Sequence, residues 1–235
     1  MLAIQEGQYT FPMYIEEDDD IIDIYVGNAK RRNAPYIRIS IFKPSDVVLQ
    51  DLTFFPHCSI SEKLLQKGDG SVSIMLKAVL KWLVTKYDFM QDIEFTDNSK
   101  FKTNNGTVYL AEKCVLIEGQ TWYMKHFGAI PSSSSAKIAL KSYMNLHEKY
   151  KNEIVNLDKD LWLQDNLEVL YSKFPSINGK RISGTTWKIA KNTINQYNVN
   201  PIEVQIGGGH KACSNLKKLY LENMSYDLPR TLYYV

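Results

Sequence analysis

Cysteine is scarce in this 235-residue chain, and its three cysteines lie far apart in the sequence. None belongs to a C-x-x-C pair, and their number is odd. The sequence therefore offers neither a disulfide framework nor a cysteine-rich metal site. This usage favours a reducing compartment, so we expect a cytoplasmic protein with no metal-binding residues. The three residues are Cys58, Cys114 and Cys213.

Long apolar runs are also missing. No stretch approaches the roughly 20 apolar residues that a membrane span needs. The N-terminal sequence MLAIQEGQYTF lacks the basic region and apolar core of a secretion signal. We therefore expect no membrane span and no secretion. The hydrophobic content of 44% nevertheless suffices for a substantial core.

The chain has no strong excess of charge of one sign, since 28 basic and 26 acidic residues give a net charge of +2. Dedicated nucleic-acid-binding proteins carry a strongly basic surface. The composition disfavours that class, and a nucleic-acid role would need a local patch. The candidates for such a patch are Lys30, Arg31 and Arg32, together with Lys- and Tyr-rich helices near the C-terminus.

The N-terminal part of the chain has the alternation of half-buried strands. In one segment Ile37, Ile39 and Ile41 alternate with polar neighbours, which is the period of a strand with one buried face. The simplest arrangement is an antiparallel meander with the acidic residues 16–20 at a solvated hairpin tip. The predicted strands are residues 10–15, 21–26, 36–42 and 47–54.

Residues 71–87 have the pattern of a largely buried helix, because polar side chains recur every four positions among apolar ones. We expect Ser71 to cap its N-terminus. Residues 92–96 then form a short strand. Strand, helix and strand in this order predict a parallel pair joined by a right-handed crossover. The polar positions of the helix are Ser73, Lys77, Lys81 and Thr85.

The four serines at 132–135 indicate a boundary, after which the sequence pattern changes from mixed strands and helices to mainly helical spacing. We predict an α/β region over residues 1–131 and a mainly helical region over residues 132–235. Before the boundary, residues 108–119 fit either a strand or a helix, and residues 121–127 fit the end of a helix. After the boundary, we expect helices at residues 136–150, 158–174 and 185–197, and a strand at residues 202–206.

The most informative chemical pattern is the glycine pair Gly68-x-Gly70, which directly precedes Ser71 and the long helix. Glycines let backbone amides approach an anion, and the helix dipole adds partial positive charge at that end. The pattern is consistent with a phosphate-binding loop and with an ordinary loop-to-helix junction. The adjacent His57 and Cys58 do not form a nucleophile pair, since neighbours on an extended chain point to opposite faces.

This order of elements, followed by Trp122-Tyr123 and Phe127-Gly128, resembles the GNAT acetyltransferase superfamily over roughly residues 10–130. The resemblance implies a mixed α/β sheet of the GNAT type with a helical C-terminal extension. It also implies acetyl-coenzyme A as cofactor. The strings GDGSVSIMLKAVLKWLV and TWYMKHFGAIP further resemble an uncharacterised group of proteins from large DNA viruses, a likeness that carries no activity.

The resemblance also implies roles for individual residues. The amides of Gly68, Gly70 and Ser71 would hold the pyrophosphate of acetyl-coenzyme A. Tyr123 would return a proton to the coenzyme thiolate, and Asp51 on the fourth strand would take a proton from the amine. Spacing does not single out one base among the residues available near these strands, which are Asp51, His57, Glu94 and Asp97.

Two classes of function remain open at this point. One is an N-acetyltransferase acting on an unknown amine, favoured by the glycine pair and the capped helix. The other is a catalytically inactive relative that serves as an interaction or virion-structural protein of a large DNA virus, in the host cytoplasm or the virion. Leu65 and Asp69 favour the second class, because the family usually has Arg or Gln at the former place and no acid between the glycines. Tyr123 also lies five rather than four residues before Gly128.

Overall fold

The computed structural model describes residues 2–26, 34–42, 46–55, 71–103, 106–155 and 171–205. These residues form a mixed α/β structure. Its strands are β1 (Leu2–Glu6), β2 (Tyr9–Glu17), β3 (Ile21–Val26), β4 (Ala34–Phe42), β5 (Asp46–Phe55), β6 (Asp92–Thr96), β7 (Lys100–Thr103), β8 (Gly106–Tyr109), β9 (Ile130–Pro131), β10 (Thr186–Ala190) and β11 (Ile202–Gln205). Its helices are α1 (Ser71–Lys86), α2 (Leu110–Glu118), α3 (Trp122–Phe127), α4 (Ser134–Val155), α5 (Lys191–Asn195) and a 3-10 turn (Pro175–Ile177).

The described residues divide into two compact units. The first contains the chain up to Phe95 and the segment that starts at Ile189, and the second contains Thr96–Lys188. This division differs from the predicted boundary after residue 131. The reason is that Pro131 of β9 pairs with Trp187 of β10, so both sides of that position belong to the second unit.

Among the described residues, seven strands of the first unit form one mixed sheet in the order β11-β1-β2-β3-β4-β5-β6. Neighbours from β11 to β5 are antiparallel, whereas β5 and β6 run parallel. The predicted meander and the predicted parallel pair are confirmed. The strand at 202–206 is also confirmed as β11, although the sequence gave no sign of its partner, β1.

One face of this sheet supplies the core of the first unit. Successive isoleucines and valine of β3 lie opposite the isoleucines of β4, and all six are buried because the two alternating patterns coincide in register. The opposite face carries the polar pair Asp23 and Ser40 together with apolar and aromatic residues, such as the paired Ile21 and Phe42. The register pairs of the buried face are Ile22 with Ile41, Ile24 with Ile39, and Val26 with Ile37.

The helix α1 begins at Ser71, as predicted, and is buried over most of its surface. Its predicted polar stripe is confirmed as the less buried side. Part of that stripe contacts protein as well: Lys81 Nζ donates to the carbonyl of Asn195 at 2.5 Å, and Lys77 lies 5.7 Å from the ring centre of Tyr197. The segment at and just after α5 therefore covers part of the stripe.

The second unit combines the β7–β8 hairpin with α2, α3 and α4. The ambiguous residues 108–119 contain both kinds of structure, because β8 ends at Tyr109 and α2 follows. Gly119 ends α2 with φ 77, and Thr121 then caps α3 by accepting from the amide of Met124 at 3.1 Å. The predicted helix at 136–150 is confirmed within α4, and most of the predicted helix at 158–174 lies outside the described residues.

The prediction of one helix over residues 185–197 is wrong. Residues 186–190 are the strand β10, and only Lys191–Asn195 are helical. Trp187 and Ile189 are fully buried between half-buried neighbours, which is a period of two. The same apolar residues also fit a helical spacing, so pairing with β9 decides the structure.

Within the described ranges, no helix is both long enough and apolar enough to cross a membrane.

Candidate functional site

The residues assigned from the sequence fall into three groups. Gly68 and Gly70 lie outside the described residues, as do His57 and the basic stretch at 30–32. Ser71 is the first residue of α1, and Asp51 lies on β5; both belong to the first unit. Tyr123 lies on α3 in the second unit.

In the first unit, the strands β5 and β6 form a fork. They pair in parallel through Val48 with Glu94 and through Leu49 with Phe95. The register with β4 shifts at the next position of β5, because Arg38 pairs with Asp51 whereas the following residue pairs with Leu49. Gln50 is thus the extra residue of a β-bulge, a feature that bends a strand and ends regular pairing.

Beyond this bulge, β5 continues to Phe55 against β4, and no described strand pairs with its other edge. A strand edge of this kind presents backbone amide and carbonyl groups that can bind an extended ligand. Asp51 is the first paired residue beyond the bulge. The sequence reasoning placed Asp51 on this strand but missed the bulge, which has no signature in composition.

The helix α1 connects the two strands, and its N-terminus lies at Ser71. The helix has 16 residues, and its first turn contains no acidic side chain. No side chain of that turn offsets the partial positive charge of the N-terminus, although Asp69 lies two residues before Ser71 in the sequence.

The other end of α1 is fixed to the C-terminal strand of the same unit. Glu203 on β11 accepts from the indole Nε1 of Trp82 at 3.1 Å and from Lys86 Nζ at 3.2 Å. Trp82 is buried, so its indole N–H needs this acceptor. These contacts hold the helix axis in place relative to β1 and β11.

Tyr123 is buried, with 1% of its surface exposed. Its ring packs edge-on against Trp122 at 5.1 Å between ring centres and tilted against Phe127 at 6.0 Å. Its carbonyl accepts from the amide of Ala129 at 3.2 Å. In this arrangement the ring contributes to the core of the second unit, and a reacting thiolate could reach its hydroxyl only after a local opening.

Asp97 was one of the candidate bases, and the structure places it in a buried polar cluster of the second unit. Asp97 is 2% exposed and accepts from the amide of Ser99 at 3.0 Å and from its hydroxyl. Burial, with a contribution from the negative charge of Glu112, raises the pKa of Asp97 to about 6.

Glu112 of α2 is the member of this cluster that sequence reasoning missed. It is 1% exposed and accepts from the amides of Ile182 at 3.0 Å and Ser183 at 2.9 Å, and from the Ser183 hydroxyl. The signal was available in the sequence. Glu112 occupies a position on the same side of α2 as Val115 and Leu116, where an apolar residue is expected.

Cys114, near this cluster, is not a candidate nucleophile. Burial and the nearby acidic groups Glu118 and Asp97 raise the pKa of its thiol to about 11. The thiolate is the reactive species, so a raised pKa keeps the thiol inert at neutral pH.

A second polar cluster, also missed, occupies the face of the first unit's sheet that points away from the isoleucine core. Asp23 accepts from Arg38 at 2.9 Å, from the Ser40 hydroxyl at 2.5 Å and from the Tyr25 hydroxyl at 3.2 Å. Burial, reinforced by the charge of Asp23, raises the pKa of Tyr25 to about 12. Three donors thus converge on one carboxylate, as expected for a structural network.

Within the described part of the chain, no three His, Cys, Asp or Glu residues are grouped as a metal site would require. Comparison of the chain with protein-family models, with curated proteins and with solved structures finds no match.

Proposed function

We propose that this chain is a GNAT-like N-acetyltransferase that binds acetyl-coenzyme A at the amino end of α1 and acetylates an amine. The observation that carries the proposal is the fork: β5 and β6 are parallel, α1 connects them, and their pairing stops at the bulge of β5. The antiparallel strands β1 to β5 precede this strand–helix–strand fork in the chain, which is the order that the resemblance implies.

The cofactor fits the described part of this site. The pyrophosphate would lie at the N-terminus of α1, where the amide of Ser71 and the partial positive charge of the helix dipole favour an anion. The pantetheine arm would lie along the free edge of β5 beyond Gln50. Gly68 and Gly70 precede the helix in sequence and would supply further amides.

The proposed chemistry is direct transfer. The substrate amine attacks the thioester carbonyl, a C–N bond forms, and the C–S bond breaks to release the coenzyme thiolate. Asp51 or a water molecule takes the amine proton, and Tyr123 returns a proton to the thiolate. Each of these proton transfers requires direct contact with the reacting group.

Thermal unfolding with and without acetyl-coenzyme A tests cofactor binding. A ligand at 100 times its dissociation constant stabilises a protein by about 2.7 kcal/mol. The variant Gly70→Glu adds a negative charge directly before the N-terminus of α1, and we expect it to abolish the increase in melting temperature caused by acetyl-coenzyme A. Thr85→Glu is the matched control, because it adds the same charge to the exposed far end of the same helix. No shift with wild type at millimolar ligand would refute the proposal.

A second candidate is an inactive relative that kept the fold and serves as an interaction or virion-structural protein. The burial of Tyr123 favours it, because a proton donor must contact the leaving thiolate. Acetyl transfer to a panel of amines distinguishes the two: an enzyme turns over, and Tyr123→Phe lowers kcat by about 10²–10⁴.

Tyr143→Phe is the matched control for this substitution. It removes a buried hydroxyl of the same unit that donates to the carbonyl of Lys180 at 3.0 Å, so it is expected to lower stability and leave kcat unchanged. Binding without turnover of any amine, together with a partner that copurifies in fixed stoichiometry, would favour the second candidate.

A further inference from the structure

Two buried acidic residues of the second unit hold one loop from two sides, Glu112 through its carboxylate and Asp97 through its backbone carbonyl. The loop comprises residues 181–185, here named the clamp loop, and it leads directly into β10. On one side Glu112 accepts from the amides of Ile182 and Ser183. On the other side the backbone carbonyl of Asp97 accepts from the amide of Gly184 at 2.7 Å.

The two carboxylates differ in how well their charge is compensated. Three donors converge on the Glu112 carboxylate, namely two backbone amides and one hydroxyl, and both of its oxygens act as acceptors. The Asp97 carboxyl group receives donors from Ser99 alone among the described residues, and no described cation forms an ion pair with it. An ionised Asp97 would therefore be a second buried negative charge close to that of Glu112.

The groups around the pair do not neutralise this charge. From α2, Asp97 faces Glu112 and the thiol of Cys114, which is neutral because burial raises its pKa. Tyr143 of α4 is influenced by Glu112 and stays neutral for the same reason. Arg181 and Glu112 attract each other, but Arg181 is exposed and its guanidinium lies over the ring of Tyr109 at 4.5 Å, so solvent weakens its effect on the buried pair.

We propose that Asp97 and Glu112 form a proton-sensitive clamp: the clamp loop is held firmly while Asp97 is protonated and opens more often once Asp97 is ionised. The group that changes state is the Asp97 carboxyl, and the element that responds is the segment entering β10. This device is independent of the proposed acetyltransferase activity and uses none of its assigned residues.

Hydrogen exchange at the amides of Ile182, Ser183 and Gly184 reports directly on opening of the clamp loop. After correction for intrinsic exchange, their protection is expected to fall about tenfold between pH 5 and pH 8. This figure corresponds to a carboxyl that titrates at about 6 in the closed state and at 3.8 in the open state. Protection that stays constant over this range would overturn the proposal.

Asp97→Asn retains the shape and the acceptor oxygen for Ser99 but cannot ionise. We expect its protection to be independent of pH and equal to the wild-type value at acid pH. Glu148→Gln is the control, since it removes an exposed carboxylate of α4 in the same unit and should retain the wild-type profile. A pH dependence that persists in Asp97→Asn would assign the effect to another group and overturn the proposal.

Two further measurements keep the test decisive if Asp97→Asn folds poorly. A carbon NMR titration of the Asp97 carboxyl in the wild-type protein is expected to give a midpoint near 6, and a midpoint near 3.8 would overturn the proposal. In Glu112→Gln, which keeps an acceptor for the two loop amides, we expect the exchange transition to move to lower pH. An unchanged transition would remove Glu112 from the clamp.

Discussion

Replacing Gly119 by alanine is expected to destabilise the second unit through two separable effects. Gly119 ends α2 with φ 77, a left-handed conformation that costs an L-residue about 1 kcal/mol. A Cβ at this position would also lie 3.0 Å from Cδ2 and 3.1 Å from Nε2 of His147. Either the ring or the end of the helix must therefore move.

The ring of His147 is not free to move without loss. Its Nδ1 donates to the carbonyl of Leu116 at 2.9 Å, which satisfies an orphan carbonyl in the last turn of α2. Displacing the ring breaks this bond, at a cost of about 0.5–1.5 kcal/mol. Together with the cost of the left-handed backbone, this loss should lower the free energy of unfolding of Gly119→Ala by about 1.5–2.5 kcal/mol.

The assay is urea denaturation followed by tryptophan fluorescence, with Gly179→Ala as the matched control. Gly179 belongs to the same unit and has φ 70, but a Cβ there would meet nothing within 4 Å. Gly179→Ala should therefore lose only the free energy that the left-handed backbone costs an alanine. The difference between the two variants, about 1 kcal/mol, is the contribution of His147. It should vanish when both glycine variants are compared in a His147→Ala background.

Equal losses in Gly119→Ala and Gly179→Ala would refute this reasoning, because the contact with His147 would then contribute nothing. A loss in Gly119→Ala that persists undiminished in the His147→Ala background would have the same consequence.

Three further predictions concern single contacts. Thr121→Ala removes the cap of α3 and should lower stability by about 1 kcal/mol in denaturant titrations, whereas Thr121→Ser should not. Glu203→Ala leaves the buried indole N–H of Trp82 without its acceptor and should cost about 1–3 kcal/mol, while Glu203→Gln should cost less. The pKa of Asp97 is raised on folding, so its stabilising contribution is fully present below 3.8 and is lost as the pH rises through about 6. At pH 8, Asp97→Asn should therefore exceed wild type in stability by up to about 3 kcal/mol, because each unit of pKa shift corresponds to about 1.4 kcal/mol. Near pH 4 the two proteins should be equally stable. Equal stability at pH 8 would contradict this prediction.

Part of the candidate site could be predicted from the sequence. The strand, helix and strand from residue 47 to residue 96 follow from periodicity, whereas the capping role of Ser71 stays a prediction, because Ser71 is itself the first residue of α1. The bulge at Gln50 could not be predicted, because it depends on the register between β4 and β5 and has no local signature. The function and the cofactor remain proposals that rest on this fork.

The buried clusters show a second limit. Asp23 and Arg38 sit on alternating strands where the sequence indicates ordinary solvent-facing residues, yet register places them in contact. Asp97 and Glu112 are separated by fourteen intervening residues, two strands and a turn, and only folding brings their charges near each other. Sequence spacing carries no information about such pairs.

By itself, the sequence determined the local elements whose apolar period is unambiguous: the meander, the buried helix α1 with its polar stripe, and the α4 helix. Only the tertiary structure decided that residues 186–190 are a strand, that β11 returns to β1, and that chain on both sides of residue 131 shares one unit. The physical reason is that periodicity reports which side of a segment is buried, whereas strand pairing depends on partners distant in the chain. Where one set of apolar residues fits two periods, as around Trp187, the available partner selects between them.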